Sequence, residues 1–198
     1  VTGATGHIGG TALRCLSAMG QPVAAMARDA RRSEENVPAG IPVRIADYDD
    51  LPGLRRAFEG VSRLLFVASD GDGRDVLRHH ANVIDAAAAS GIRRVVFVGI
   101  LDIDETSPFY YTPVYRDAER RLAESGLNPA ILRCGLYSDL LLSHWIGPAK
   151  ATGELHLPLG QALLAPVSRD DVARAAAALT VAADGSNTIH EMTGPRAY

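Results

Sequence analysis

Lysine is nearly absent from this 198-residue chain, which carries nineteen arginines and the single Lys150. Ile146 stands four positions ahead of it, so a Tyr-x-x-x-Lys pair, in which the lysine lowers the tyrosine pKa for proton transfer, is excluded. Cysteine is scarce as well. Cys15 and Cys134 lie far apart in apolar segments and suggest neither a disulfide framework nor a metal pair, which fits a reducing cytoplasm. No run approaches the roughly 18 apolar residues that span a bilayer, and no basic-then-apolar targeting segment precedes the first motif. A cytoplasmic chain without a membrane partner is therefore expected. Excess positive charge is missing too: a net charge of −3 gives no field to hold a polyanion, and no nucleic-acid partner is expected.

What is present is 47% hydrophobic composition, enough for one sizeable core and too short a chain for two, so residues 1–198 read as a single domain. Short β-rich runs at 21–27, 43–47, 63–69, 94–100 and 129–133 alternate with helical stretches. Helices are expected over 50–59, 74–90, 112–125 and the run beginning at Ser168, with Gly20, Gly60 and Gly91 as terminators, Thr112 and Ser168 as caps and Pro113 in the first turn. Runs 64–68 and 95–98 are apolar on both faces, as strands in the middle of a covered parallel sheet are. The pattern is α/β, a doubly wound parallel sheet of expected order 3-2-1-4-5-6. From Cys134 onward it loosens. Residues 134–166 and 185–198 are expected to contribute to a small C-terminal substrate lobe, which reads as incomplete, and a short strand is expected at 188–192.

The opening "VTGATGHIGG" explains the architecture's use. Gly3, Gly6 and Gly9 recur every third position between strand residues and a helix, the context in which glycines allow a tight turn and a close backbone approach to a pyrophosphate. A P-loop would need a lysine after the last glycine; here Gly10 and Thr11 follow. These features point to a dinucleotide-binding Rossmann fold. Where such proteins hold an acid for the NAD ribose, or a base for the NADP phosphate, stands Arg28, with Asp29 beside it and Arg31 and Arg32 nearby. A charge-assisted contact of roughly 1.5–3 kcal/mol would favour NADP(H) about 10- to 100-fold, with NAD(H) the second candidate. The alternative for 28–32 is a solvated basic turn. Asp47 and Tyr48 are placed to meet an adenine ring, or else to start a helix and pack. His80 falls on the apolar stripe four residues after Val76 and reads as a packing residue; adjacent His79 points elsewhere, and no metal site is expected.

"TGATGHIG", "ADYDD", "NVIDAAAASGIRRVVFVG" and "ILRCGLYSDLL", with the later "VSRDDVARAAA" and "EMTGP", resemble the NmrA-like branch of atypical short-chain dehydrogenases/reductases, and within it the bacterial NAD(P)H:quinone oxidoreductase type 2 group. The resemblance runs from Val1 to about Pro195. It implies that Gly3, Thr5, Gly6, His7, Ile8, Gly9 and Arg28 hold the adenosine side of NADP(H). Asp47, Tyr48, Ala68, Ser69, Gly99, Ile100 and Gly135 would complete the cofactor site. It further implies that Arg133 to Tyr137 border the nicotinamide and the substrate. Tyr115 and Tyr137 are the catalytic candidates, each equally a packing residue. Relatives often carry histidine where Tyr115 stands, and Gly99 replaces the serine or threonine usual after that strand. The activity implied is NADPH-dependent hydride transfer to a quinone-like electrophile, which is already electrophilic and does not need the missing tyrosine–lysine pair. The alternative is a non-catalytic NADP(H)-binding redox sensor of the NmrA type. A homodimer is left open.

Overall fold

The computed structural model describes all residues except 157–159, 161 and 184–186. Strand β1 (Ala25–Ala27) pairs with β2 (Val43–Ile45), and β3 (Arg63–Val67), β4 (Arg94–Ile100), β5 (Asn128–Cys134) and β6 (Thr188–Met192) form a second parallel set in that order. The opening residues join the two sets. The Met26 amide donates to the Val1 carbonyl at 2.8 Å, and the Thr2 amide donates to the Leu65 carbonyl at 3.0 Å. Counting this opening segment as the first strand, the order is 3-2-1-4-5-6, with β6 a further parallel strand at the edge. The expected strand at 188–192 is the one observed.

Alternation along the central strands divides the core into two layers. Leu64, Phe66, Val95, Phe97 and Ile131 face helices α3 (Leu51–Phe58), α4 (Gly73–Ala89) and α5 (Thr112–Glu124), meeting Leu54, Phe58, Val83, Ile84, Ala118 and Leu122. Leu65, Val96, Val98, Ala130 and Leu132 face α1 (His7–Ala18) and α8 (Arg169–Val181). On α8 the buried alanines 173, 176 and 177 carry little bulk, so α8 lies close against α1 and brings its N-terminus to the glycine loop. The expected carbonyl-end glycines Gly20, Gly60 and Gly91 all take positive φ. Ser168 caps α8, its hydroxyl accepting from the Asp171 amide at 3.0 Å.

One local expectation is corrected, and two further local features become visible. Thr112 is not the cap of α5; it is buried as the first helical residue and its hydroxyl donates to the Asp102 carbonyl at 3.0 Å, tying the preceding loop to the helix. Arg31 and Arg32, in the run 28–32 whose alternative reading was a solvated basic turn, lie in helix α2 (Ala30–Asn36), which Asp29 caps by accepting from the Arg31 amide at 2.8 Å and the Arg32 amide at 3.4 Å. The apolar stretch after β5 is one helical run, α6 (Ser138–Leu140), a π-helical turn over Leu141–Ile146 and α7 (Gly147–Thr152). The segments expected as a C-terminal lobe lie partly outside the described residues, at 157–159, 161, 185 and 186. Elsewhere they pair with one another, the Leu164 and Tyr198 amides each donating to the other's carbonyl at 3.0 and 2.8 Å.

Candidate functional site

Parallel strands end their carbonyl edges on one side of the sheet, and a crevice opens where the order reverses, between β1 and β3 beside the opening segment. A cleft of about 600 Å³ lies there, a size typical of small-molecule sites. One end carries Arg28, Asp29 and Arg32; the other carries Tyr115, Tyr137, Leu140 and Arg169; the glycine loop forms the wall between them.

That wall is bare backbone. Gly3 sits at φ +59°, a left-handed turn that only glycine takes without strain. A Cβ on Gly9 would lie 2.3 Å from the Gly3 carbonyl oxygen, so strand and helix approach more closely there than any side chain permits. No side chain caps α1 at Gly6. The Gly10 amide is bonded to the Gly6 carbonyl at 2.9 Å, whereas the first-turn amides of His7, Ile8 and Gly9 find no acceptor among the described residues. Three unpaired donors at the positive end of a twelve-residue helix, beside a cleft, fit a pyrophosphate.

Arg28 is three-quarters exposed on the cleft rim, its Nε 4.0 Å from Asp47 Oδ2, a long and solvated pair. Asp29 is spent on the α2 cap, which leaves the guanidinium groups of Arg28 and Arg32 as the charged groups at this end of the cleft not used for capping. Asp47 turns its other oxygen to the Asp49 amide at 2.9 Å. Tyr48 packs edge-on to Phe66 with centroids 5.9 Å apart, and its hydroxyl donates to the Val67 carbonyl at 2.8 Å. Burial raises the Tyr48 pKa well above that of free tyrosine. The ring therefore shapes the cleft floor and keeps its proton.

Behind Ser69 lies a polar string that sequence reading did not anticipate. Ser69 Oγ is 2.7 Å from His79 Nδ1, His79 Nε2 is 3.3 Å from Asp49 Oδ1, and Arg78 binds the same carboxylate at 2.7 Å. The Arg78 hydrogen bond holds the Asp49 carboxyl at a pKa of about 2. Asp47, Asp49 and His79 bring ligand atoms within 4.8 Å of one another; Arg78 pairs closely with Asp49, while Arg28 stands 4.0 Å from Asp47. His80 is fully buried among Phe66, Phe97 and Tyr115, with centroids 5.2–5.6 Å away. Burial lowers its pKa to about 4, so it packs as a neutral ring.

At the far end Tyr115 packs against His80 and Phe97, and its hydroxyl makes no hydrogen bond among the described residues. Burial raises the pKa of Tyr115 and of Tyr137. Both phenols stay protonated, as hydrogen-bond donors must. Of the expected cofactor residues, Gly3, Thr5, Gly6, His7, Ile8, Gly9, Arg28, Asp47, Tyr48, Ala68 and Ser69 line the cleft together. Gly99, Ile100 and Gly135 do not. The first two still lie within β4, registered against Arg133 and Cys134, and it is Val98 that reaches the cleft. Gly135 is held away by its amide bond to the Met192 carbonyl at 2.9 Å. Arg133 also turns from the cleft, forming a bidentate pair with Glu119 at 2.9 and 2.7 Å. Arg169 was missed: it lines the cleft and pairs with Asp139, while the adjacent Asp170 binds His7 at 2.8 Å. Its only sequence signal was its place at the start of α8, and contact with α1 had to be known first.

The family model described as NAD(P)H-binding matches residues 3–182. Quinone oxidoreductase 2 of Escherichia coli is 32% identical over 203 residues, covering all of this chain and 69% of that protein. The crystal structure of the E. coli NADPH-dependent quinone oxidoreductase complexed with NADPH superposes with a TM-score of 0.91 at 31% identity, over 100% of this chain and 69% of that one. The Citrobacter triphenylmethane reductase complexed with NADP(H) does so at 0.89 and 27% identity, over 100% and 70%. No helix among the described residues is long and apolar enough to cross a membrane.

Proposed function

The chain belongs to the NAD(P)H-binding family and is an NAD(P)H-dependent oxidoreductase, and from that premise we propose that it takes NADPH and reduces quinones. The observation that carries the reading is the continuity of one cleft from Arg28, past the helix start with the unpaired amides of His7, Ile8 and Gly9, to Tyr115 and Tyr137. An extended dinucleotide with phosphate at one end and its reactive ring at the other matches that order of groups. Similarity to reductases of quinones and of triphenylmethane dyes supports an aromatic acceptor.

Bound in the cleft, reduced nicotinamide supplies two electrons and one hydrogen as hydride. The protein's part is placement. Amides at the start of α1 receive the pyrophosphate, Arg28 with Arg32 receives the ribose 2′-phosphate, and Ala68 and Ser69 lie along the cofactor's length. Tyr115 donates its proton in a hydrogen bond to one quinone oxygen, with Tyr137 and Leu140 closing the acceptor pocket. The hydrogen bond favours charge developing on that oxygen, and the final protonation comes from water. Residues 1–198 act as one unit in this reading. The paired segments within 134–166 and 185–198 back the acceptor side, which Tyr137 and Leu140 represent in the cleft.

The test is NADPH oxidation monitored with and without 1,4-benzoquinone or 1,4-naphthoquinone. Oxidation that depends on the quinone supports the proposal. Tight NADPH binding with no turnover over a broad quinone panel refutes it and favours the redox-sensor alternative, in which oxidised cofactor is preferred.

A further inference from the structure

Between β4 and α5 the chain carries three consecutive aromatic residues, Phe109, Tyr110 and Tyr111. The Tyr110 and Tyr111 rings lie 4.1 Å apart between centroids with their planes at 36°. Tyr111 stands edge-on to Tyr115 at 6.2 Å, and Tyr115 lines the cleft. The Tyr111 hydroxyl donates to the Gly71 carbonyl, next to the cleft residue Asp70. A ladder of rings thus leads outward from the acceptor pocket and ends on Tyr110, which is 66% exposed.

This loop is held, not loose. Ser107 Oγ donates to Asp102 Oδ2 at 2.6 Å, Thr106 Oγ1 donates to Asp104 Oδ1 at 2.6 Å, and Arg116 pairs with Glu105. Tyr110 therefore presents a ring already oriented by its neighbour, and a ligand stacking on it loses little rotamer freedom from the protein side. Tyr110 contributes nothing to the two buried core layers, so core packing does not account for its placement. A fused acceptor presents more ring area than a single-ring quinone, and the succession of rings from Tyr115 through Tyr111 to Tyr110 offers that extra area aromatic partners.

We propose, resting on the quinone reductase reading above, that Tyr110 backed by Tyr111 is a stacking platform at the mouth of the cleft that selects planar acceptors of two or more fused rings. Tyr110→Ala and Tyr110→Phe are compared with the wild type on 1,4-benzoquinone, 1,4-naphthoquinone and 9,10-phenanthrenequinone, by NADPH-coupled kinetics and by equilibrium binding to the NADP⁺-loaded protein. Tyr110→Ala raises KM and Kd for the two- and three-ring compounds about 2- to 13-fold, the size of an aromatic stacking pair. The effect on benzoquinone is much smaller, kcat changes little, and Tyr110→Phe restores the affinity. Equal changes across the three quinones, or no change, overturn the platform and leave the reductase reading standing. Phenanthrenequinone bound through Tyr110, with none of the three quinones turned over, supports the platform and overturns the reductase reading. Failure of the wild type to bind any multi-ring quinone overturns the platform directly.

Discussion

Replacing Arg28 by glutamate separates the two nicotinamide coenzymes. NADPH and NADH differ only in the 2′-phosphate, so a contact to that group appears in one titration and not in the other. A hydrogen bond between charged partners contributes about 1.5–3 kcal/mol, but Arg28 is 74% exposed and Asp47 lies 4.0 Å from it, so solvent screening and that competing carboxylate bring the expectation down to about 1–1.5 kcal/mol. That corresponds to roughly a tenfold rise in the Kd for NADPH. The introduced carboxylate repels the phosphate and pushes the effect up, while Arg32 on the same rim keeps it from growing far. The Kd for NADH changes by no more than about twofold. Titrations followed by nicotinamide fluorescence at low and high ionic strength check this, and the NADPH advantage of the wild type narrows with salt. Asp29→Ala is the control: it removes the α2 cap and costs about 1 kcal/mol of stability, while the coenzyme ratio holds because Asp29 is occupied by backbone amides. An NADPH-to-NADH ratio unchanged by Arg28→Glu refutes the phosphate contact.

Gly9→Ala places a methyl 2.3 Å from a backbone oxygen; it costs about 1–3 kcal/mol in urea unfolding and weakens NADPH and NADH alike, since the pyrophosphate is common to both. Tyr115→Phe keeps the ring packing and lowers kcat for quinones about tenfold or more with NADPH affinity retained; unchanged kcat removes the hydroxyl from the reaction. Burial raises the Tyr115 pKa, so its proton stays on through the neutral and mildly alkaline range and the wild-type kcat profile shows no falling limb from this group up to about pH 9. Burial lowers the His80 pKa from 6.5 to about 4. The unfolded chain then binds a proton that the folded chain refuses. The stabilisation is complete above pH 6.5 and is lost as pH falls toward 4, by about 3 kcal/mol in all. Denaturation curves across that window check it, and a slope that survives in His80→Phe assigns the effect elsewhere.

Much of the scaffold was readable because local rules coincide with it. Strand 94–100 emerges with the expected bounds, since a run apolar on both faces has no other place in a covered parallel sheet, and the edge strand at 188–192 also falls where expected. Gly20, Gly60 and Gly91 end their helices as their missing Cβ permits. The glycine loop and Arg28 were legible for the same reason: they sit at fixed offsets from the first strand and helix. Errors arose where one residue had two local uses. Asp29 was weighed as a rival to Arg28 and instead nucleates a helix. Thr112 has the chemistry of a cap, but its hydroxyl finds a carbonyl ten residues back. Gly99 and Ile100, placed along the cofactor by likeness, stay within β4, and Arg133, placed at the nicotinamide border, is drawn off by Glu119.

From its residue order alone this protein determined the alternation of strands and helices and the bare glycine turn at the start of α1, because each depends on neighbours within a few positions along the chain. Only the tertiary structure decided that Arg169, His79 and Tyr115 share a cleft with Gly3. Those residues arrive on different helices, and their meeting is set by which faces pack together; for Arg169 the small alanine surface lets α8 lie against α1.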